Sequence, residues 1–163
     1  MTIHLKNKQT LQVGDFYFKC CIGKNGISKK KIEGDKKTPK GTFEIGHLYF
    51  RNKKINKIST KLKVIQIKKN MAWCDDVNSN FYNKLFKINK NIRHEKLYRK
   101  DFKYDLLIPI KYNFKKPTKG LGSCIFIHLT RNYKPTAGCI ALKEKDFLIM
   151  LKLINRNSKI IIH

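Results

Sequence analysis

The chain has 163 residues, 41% hydrophobic and 11% aromatic, with 37 lysines and arginines against 11 acids and a net charge of +26. This length and apolar content exclude a disordered chain and predict one domain over residues 1–163, long enough for a continuous core. No apolar run approaches the roughly 20 residues of a membrane span, and the N-terminal "MTIHLKNKQTLQV" lacks the pattern of an export signal.

In chain order, "TIHLKN", "TLQVG" and "FYFKCCIG" predict three short strands, rich in β-branched and aromatic residues and separated by turn residues. "EGDKKTPKGTFEIG" (33–46) reads as a loop punctuated by Thr-Pro and Gly41, which hands Phe43 and Ile45 to a further strand. "KLKVIQI" is another strand. Residues 71–105 are mixed, with weak helical periodicity around "HEKLYRK" (94–100). "YDLLIPIKYN" (104–113) and "GSCIFIHL" (122–129) predict two strong strands. "LKEKDFLIMLKLINRN" then sets Phe147, Leu148, Leu151 and Ile154 at helical spacing with acids in the first turn, and "SKIIIH" closes the chain as a strand. The fold class expected is mainly β, with one or two helices.

The positive charge is discounted as a nucleic-acid footprint. Lysine far outnumbers arginine, whose planar fork dominates phosphate and base recognition, and the lysines run along the whole chain without forming one dense arm. Attraction to an anionic polymer such as a cell wall stays open. The cysteines (Cys20, Cys21, Cys74, Cys124, Cys139) are odd in number and include no C-x-x-C pair. That disfavours both a disulfide scaffold and a structural zinc site. Cys20 and Cys21 adjoin in a strand, so they point to opposite faces.

Chemistry concentrates in "HLTRNYKPTAGCIAL" (128–142). A strand over 122–128 puts Cys124, Phe126 and His128 on one face. A hairpin-like return through Pro135 and Gly138 brings Cys139 toward His128. A Cys–His pair is what thiol catalysis needs, because the imidazole takes the proton and the thiolate is the reactive species. Gly138 permits close backbone approach to a substrate, and the amides of Gly138 and Cys139 can face a developing oxyanion. Spacing alone leaves two other roles open. Cys139 can be an inert small hydrophobe. It can also join Cys124 and His128 around zinc, although no fourth ligand is evident. A papain-like arrangement fits poorly, since there the cysteine precedes its histidine.

The stretch from His128 through Thr136-Ala137-Gly138-Cys139-Ile140 resembles the catalytic signature of L,D-transpeptidase (YkuD-type) domains: a histidine ending a strand, a variable loop, then Ser/Thr-x-Gly-Cys and a hydrophobic residue. "GDKKTPKGTFEIG" is similar to that family's Gly-Asp-x-x-Thr-Pro-x-Gly-x-Phe segment. "WCDD" (73–76), "YN" (82–83), "YDLLIPIKYN" and "GSCIFIH" extend the likeness over most of the chain. The resemblance implies a β-sandwich or barrel with a helix after the cysteine. It implies peptidoglycan stem peptides as substrate, a periplasmic or cell-envelope setting, and chemistry that needs no metal or cofactor. Cys139 would form a thioester after the L-centre of a tetrapeptide stem, with His128 as base and then acid. An amine of a second stem would resolve it as a transpeptidase, or water as a carboxypeptidase or endopeptidase. Thr136, Trp73, Asp75, Asp76 and Tyr104 are the candidate substrate contacts, and the Thr-Pro loop is assigned to structure. Two positions depart from the pattern: Ala137 stands where many members have histidine, and Ala141 where they have arginine or asparagine.

Overall fold

The three N-terminal strand signals are realised nearly residue for residue. In the computed structural model, which describes residues 1–51 and 58–163, Thr2–Asn7 (β1), Thr10–Val13 (β2) and Phe16–Cys21 (β3) form an antiparallel meander. Short pieces follow at Ile27–Ser28 (β4), Thr38–Pro39 (β5), Gly41–Glu44 (β6), Leu48–Phe50 (β7) and Val64–Gln66 (β8). Residues 52–57 of the lysine-rich stretch lie outside the described residues. Next come Met71–Cys74 (β9), Leu85–Lys87 (β10), His94–Lys96 (β11), Leu106–Pro109 (β12), Phe126–Leu129 (β13) and Ile140–Leu142 (β14). The helix Glu144–Leu153 (α1) and the strand Lys159–Ile162 (β15) end the chain. The fold is mainly β with its helix after Cys139, as expected from the sequence.

Ten strands form one sheet in the order β6-β15-β1-β2-β3-β14-β13-β12-β7-β8. Its curl comes from a single bent segment. Residues 41–44 pair with β15 at one edge, Ile45 bridges Ile110, and Tyr49 and Phe50 pair with β12. The corner is at Gly46, where an added Cβ would press on the Pro109 ring at 3.2 Å. Sheet curvature thus folds the strands around a buried core of aliphatic side chains from β1, β2, β12, β13, β14 and β15, with Phe147, Met150, Leu151 and Ile154 of the α1 segment packed into it.

Strand alternation sorts β13 and β14 between two environments. Ile125, Ile127 and Leu129, with Ile140 and Leu142, face the main core. Phe126 and Cys139 face a second, aromatic cluster with Trp73, Tyr104, Tyr49 and Leu107. His128 shares the parity of Phe126 and therefore this second face.

Three local expectations differ. The periodicity at 94–100 belongs to strand β11, which pairs with β9; the Glu95–Arg99 contact at 2.6 Å that i,i+4 spacing suggests forms across a turn instead of a helix. The return from His128 to Cys139 is not a hairpin, because β13 and β14 are parallel, with His128 opposite Ala141 and Ile127 opposite Ile140. Residues 130–139 therefore cross over from one end of the pair to the other. Cys124 lies outside β13 with φ +54, so it does not simply continue the face of Phe126 and His128.

Candidate active site

β13 and β14 place the cysteine and histidine by register. Cys139 immediately precedes Ile140, which sits opposite Ile127, so Cys139 falls beside Phe126, whose amide N–H donates to its Sγ at 3.3 Å. The thiol in turn donates to the Cys124 carbonyl at 3.2 Å. His128 is two residues along the same strand face from Phe126, about 7 Å of backbone. Both residues line one cleft of about 500 Å³, together with Tyr104, Thr136, Ala137 and Ala141.

His128 is buried, and its Nδ1 lies 2.9 Å from the Leu129 carbonyl oxygen. A carbonyl only accepts, so this bond requires the proton on Nδ1 and leaves Nε2 with the free lone pair of a base. Burial pulls the imidazole down to about 4, against the opposing effect of that carbonyl. Burial likewise pushes the Cys139 thiol up to about 12, although the Phe126 N–H favours the thiolate. The resting pair is a neutral thiol and a neutral imidazole. The Tyr104 ring stands edge-on to His128 at 5.4 Å between centroids and to Phe126 at 5.9 Å. The Arg99 guanidinium covers the Tyr104 ring at 5.0 Å. Arg99 is itself held by Glu95 at 2.6 Å and Asp101 at 2.8 Å. Lys103, Arg131 and Lys134 add positive charge to the cleft.

With this geometry the chain can be compared with known proteins. The L,D-transpeptidase catalytic domain (YkuD) matches residues 2–162. The chain belongs to that family. No curated protein sequence matches it. Among solved structures, it is similar to a mutant of the helical cell shape determining protein Pgp2 from Campylobacter jejuni (TM-score 0.51, 16% identity), covering 99% of this chain and 45% of that one. Bd1075 from Bdellovibrio bacteriovorus also aligns (TM-score 0.48, 16% identity, 99% and 47%). The chain thus spans less than half the length of the solved structures it matches.

Of the L,D-transpeptidase candidates drawn from sequence, the structure gathers Cys139, His128, Thr136 and Tyr104 around the cleft. Thr136 is already occupied: its hydroxyl donates to the Cys139 carbonyl at 2.6 Å and accepts the Gly138 N–H at 3.1 Å. Gly138, at φ +137, makes its close approach to the chain's own Lys37 carbonyl, 2.8 Å from an added Cβ, so the close neighbour is not left for substrate. With the Gly138 N–H committed to Thr136, the Cys139 N–H is the donor of this pair that takes part in none of the loop's hydrogen bonds. Trp73 packs beneath, edge-on to Phe126 at 5.4 Å, and lies outside the residues lining the cleft. Asp75 and Asp76 also lie outside them. Asp75 pairs with Arg93 at 3.2 Å, and Asp76 accepts the Asn78 N–H at 3.0 Å to close a turn.

Asn83, quoted above in the family-like "YN" (82–83) but given no role there, supports the site from outside the cleft lining. It is buried, at φ +55, and its Oδ1 accepts the Trp73 indole N–H at 3.0 Å and the Cys124 N–H at 3.2 Å. Its Nδ2 donates to the carbonyls of Tyr112 and Asn113 at 3.0 and 2.7 Å. Asn83 therefore fixes the Cys124 peptide whose carbonyl receives the Cys139 thiol. The signal available was an asparagine after Tyr82 at a turn, since asparagine tolerates left-handed backbone. Asn83→Ala leaves four polar groups without this partner, the buried Trp73 indole N–H and three half-buried ones, and strains the backbone. A stability loss of about 3 kcal/mol is expected, read in thermal denaturation as a Tm lowered by roughly 6–12 °C.

Proposed function

We propose that this chain is a cysteine acyl-transfer enzyme acting on peptidoglycan stem peptides, an L,D-transpeptidase in reaction as in family. One observation carries the reading: Cys139 and His128 share a buried sheet face and one cleft, with the His128 Nδ1 proton held by the Leu129 carbonyl. In this mechanism His128 Nε2 takes the Cys139 proton as Sγ attacks the amide carbonyl carbon after the L-centre of a tetrapeptide stem. The carbonyl electrons move onto oxygen, which the Cys139 N–H stabilises. The Tyr104 hydroxyl, at the cleft and engaged in no hydrogen bond within the protein among the described residues, offers a second contact to substrate. Collapse of the tetrahedral species breaks the C–N bond, and the imidazolium proton passes to the leaving D-alanine amine. A thioester remains on Cys139. An incoming stem amine, deprotonated by His128, attacks it and regenerates the thiol.

The cationic side chains of Arg99, Lys103, Arg131 and Lys134 suit the carboxylates of a stem peptide, and Glu95 is the acid among the cleft residues. Ala141, opposite His128, leaves a methyl where many relatives carry a polar side chain, which widens the cleft beside the base.

The test is incubation with disaccharide-tetrapeptide muropeptides followed by mass analysis of products. Release of D-alanine with tripeptide–tetrapeptide dimers is the expected outcome. Tripeptide monomers alone would assign hydrolysis of the same bond instead. Absence of any D-alanine release would overturn acyl transfer altogether.

A further inference from the structure

Among the groups outside the cysteine and histidine, the Thr-Pro loop makes a direct connection to the catalytic peptide that its role as a turn does not require. Thr38 is fully buried, and its Oγ1 donates to the Gly138 carbonyl at 2.9 Å while accepting the Gly23 N–H at 2.9 Å. A hydroxyl has one proton to donate, so the Gly23 bond orients the oxygen and commits that proton to Gly138. The Gly138 carbonyl and the Cys139 N–H belong to the same planar trans peptide and point in opposite directions. Whatever anchors the carbonyl therefore aims the N–H. Thr136 braces the neighbouring peptides on the other side, through the Gly138 N–H and the Cys139 carbonyl.

The loop carrying Thr38 is stiff enough to act as the anchor. Asp35 accepts the N–H groups of Ile32 and Lys37 at 3.0 and 2.9 Å and pairs with the Lys31 ammonium. That ammonium also donates to the Lys37 carbonyl at 2.7 Å, the same carbonyl that abuts Gly138. Glu33 ties the loop to the segment before β13, accepting from Ser123 at 2.7 Å and Tyr82 at 2.5 Å. Glycine is required at both contact points, since an added Cβ would come within 2.8 Å of Lys37 oxygen at Gly138 and within 2.5 Å of Lys36 oxygen at Gly23.

We infer that Thr38 is a positioning residue for acyl transfer: through the Gly138 carbonyl it holds the Gly138–Cys139 peptide so that the Cys139 N–H meets the developing oxyanion. The inference rests on the acyl-transfer reading. Thr38 touches no reacting atom. Loss of a well-aimed oxyanion donor costs about 100- to 1,000-fold in rate, and a donor left in place but free to turn should cost less, about 10- to 100-fold.

The experiment compares wild type, Thr38→Val and Thr38→Ser in the full chain by three readouts: single-turnover thioester formation with saturating tetrapeptide muropeptide, alkylation of Cys139 by iodoacetamide, and amide ¹⁵N–¹H spectra. Alkylation uses the thiol and no oxyanion. Thr38→Val should slow thioester formation about 10- to 100-fold with alkylation within about twofold of wild type, and should shift the Gly138 and Cys139 amide resonances. Thr38→Ser should restore both. Equal losses in acylation and alkylation would overturn the inference in favour of a general structural role, as would wild-type acylation in Thr38→Val. If wild type itself forms no thioester, the acyl-transfer reading falls and the catalytic part of the inference with it. Unshifted amides in Thr38→Val would overturn the inference even in an active enzyme.

Discussion

Cys139→Ala is expected to form no thioester with tetrapeptide muropeptide and no covalent adduct with a carbapenem, while remaining folded. Loss of a nucleophile in a hydrolase of comparable logic costs about 10⁶-fold in kcat, and a buried thiol offers no alternative route. The fold should survive because the substitution removes one sulfur from a cluster of larger aromatic neighbours. It leaves the Phe126 N–H and the Cys124 carbonyl short of a partner, for about 1–2 kcal/mol. Cys139→Ser is the sharper comparison. Its hydroxyl can keep the bond to the Cys124 carbonyl, so stability should return toward wild type. Activity should not, because an alcohol is harder to deprotonate than a thiol and His128, at about 4, is a weak base. Intact-mass spectra of the two variants and of wild type check the result. An adduct of unchanged size on either variant would move the nucleophile to another of the five thiols, with Cys124 first.

The cysteine–histidine cleft and the mainly β fold were legible in sequence because each depended on local patterning. Strands β1 to β3, β12 and β13 carry enough β-branched and aromatic residues to declare themselves, and the apolar stripe of α1 follows from its own spacing. Parity on β13 placed His128 on the face of Phe126 without knowledge of the rest. What was not legible depended on partners distant in the chain. The parallel pairing of β13 with β14 cannot be told from a hairpin by the ten residues between them; β3 settles it by occupying the far side of β14. Asn83 sits in a turn and Thr38 in the two-residue strand β5, and in the sequence each reads as nothing more. Their second bonds, to Cys124 and Gly138, span 41 and 100 positions. Asp75 and Asp76, candidate contacts because paired carboxylates beside a tryptophan suggest a binding edge, lie outside the cleft lining, where Arg93 and the Asn78 N–H engage them.

His128→Gln should lower kcat/KM for thioester formation by about 10²- to 10⁴-fold, the usual contribution of a general base, and should change the pH profile in a way that separates two mechanisms. In a preformed thiolate–imidazolium pair the two groups shift the other way, the thiol down to about 3–4 and the imidazolium up, so the alkaline limb belongs to the imidazolium. Here burial drives them apart, His128 down to about 4 and Cys139 up to about 12. Wild type should therefore hold an almost level kcat/KM from about pH 5 to 10, with its acid limb near 4, and His128→Gln should lose that limb along with the rate. The same displacement acts on stability. Folded His128 stays neutral down to about 4, whereas an unfolded histidine takes its proton near 6.5. The unfolded state binds more protons in that window, so His128 makes wild type progressively less stable as pH falls from 6.5 toward 4, by about 3 kcal/mol at the acid end. Glutamine does not titrate. The fall in Tm between pH 7 and pH 4.5 should accordingly be smaller in His128→Gln than in wild type. An identical fall in both proteins would show that folding leaves His128 unshifted, and a larger fall in His128→Gln would show an imidazole charged in the folded protein, so that the neutral-pair mechanism would give way to an ion pair.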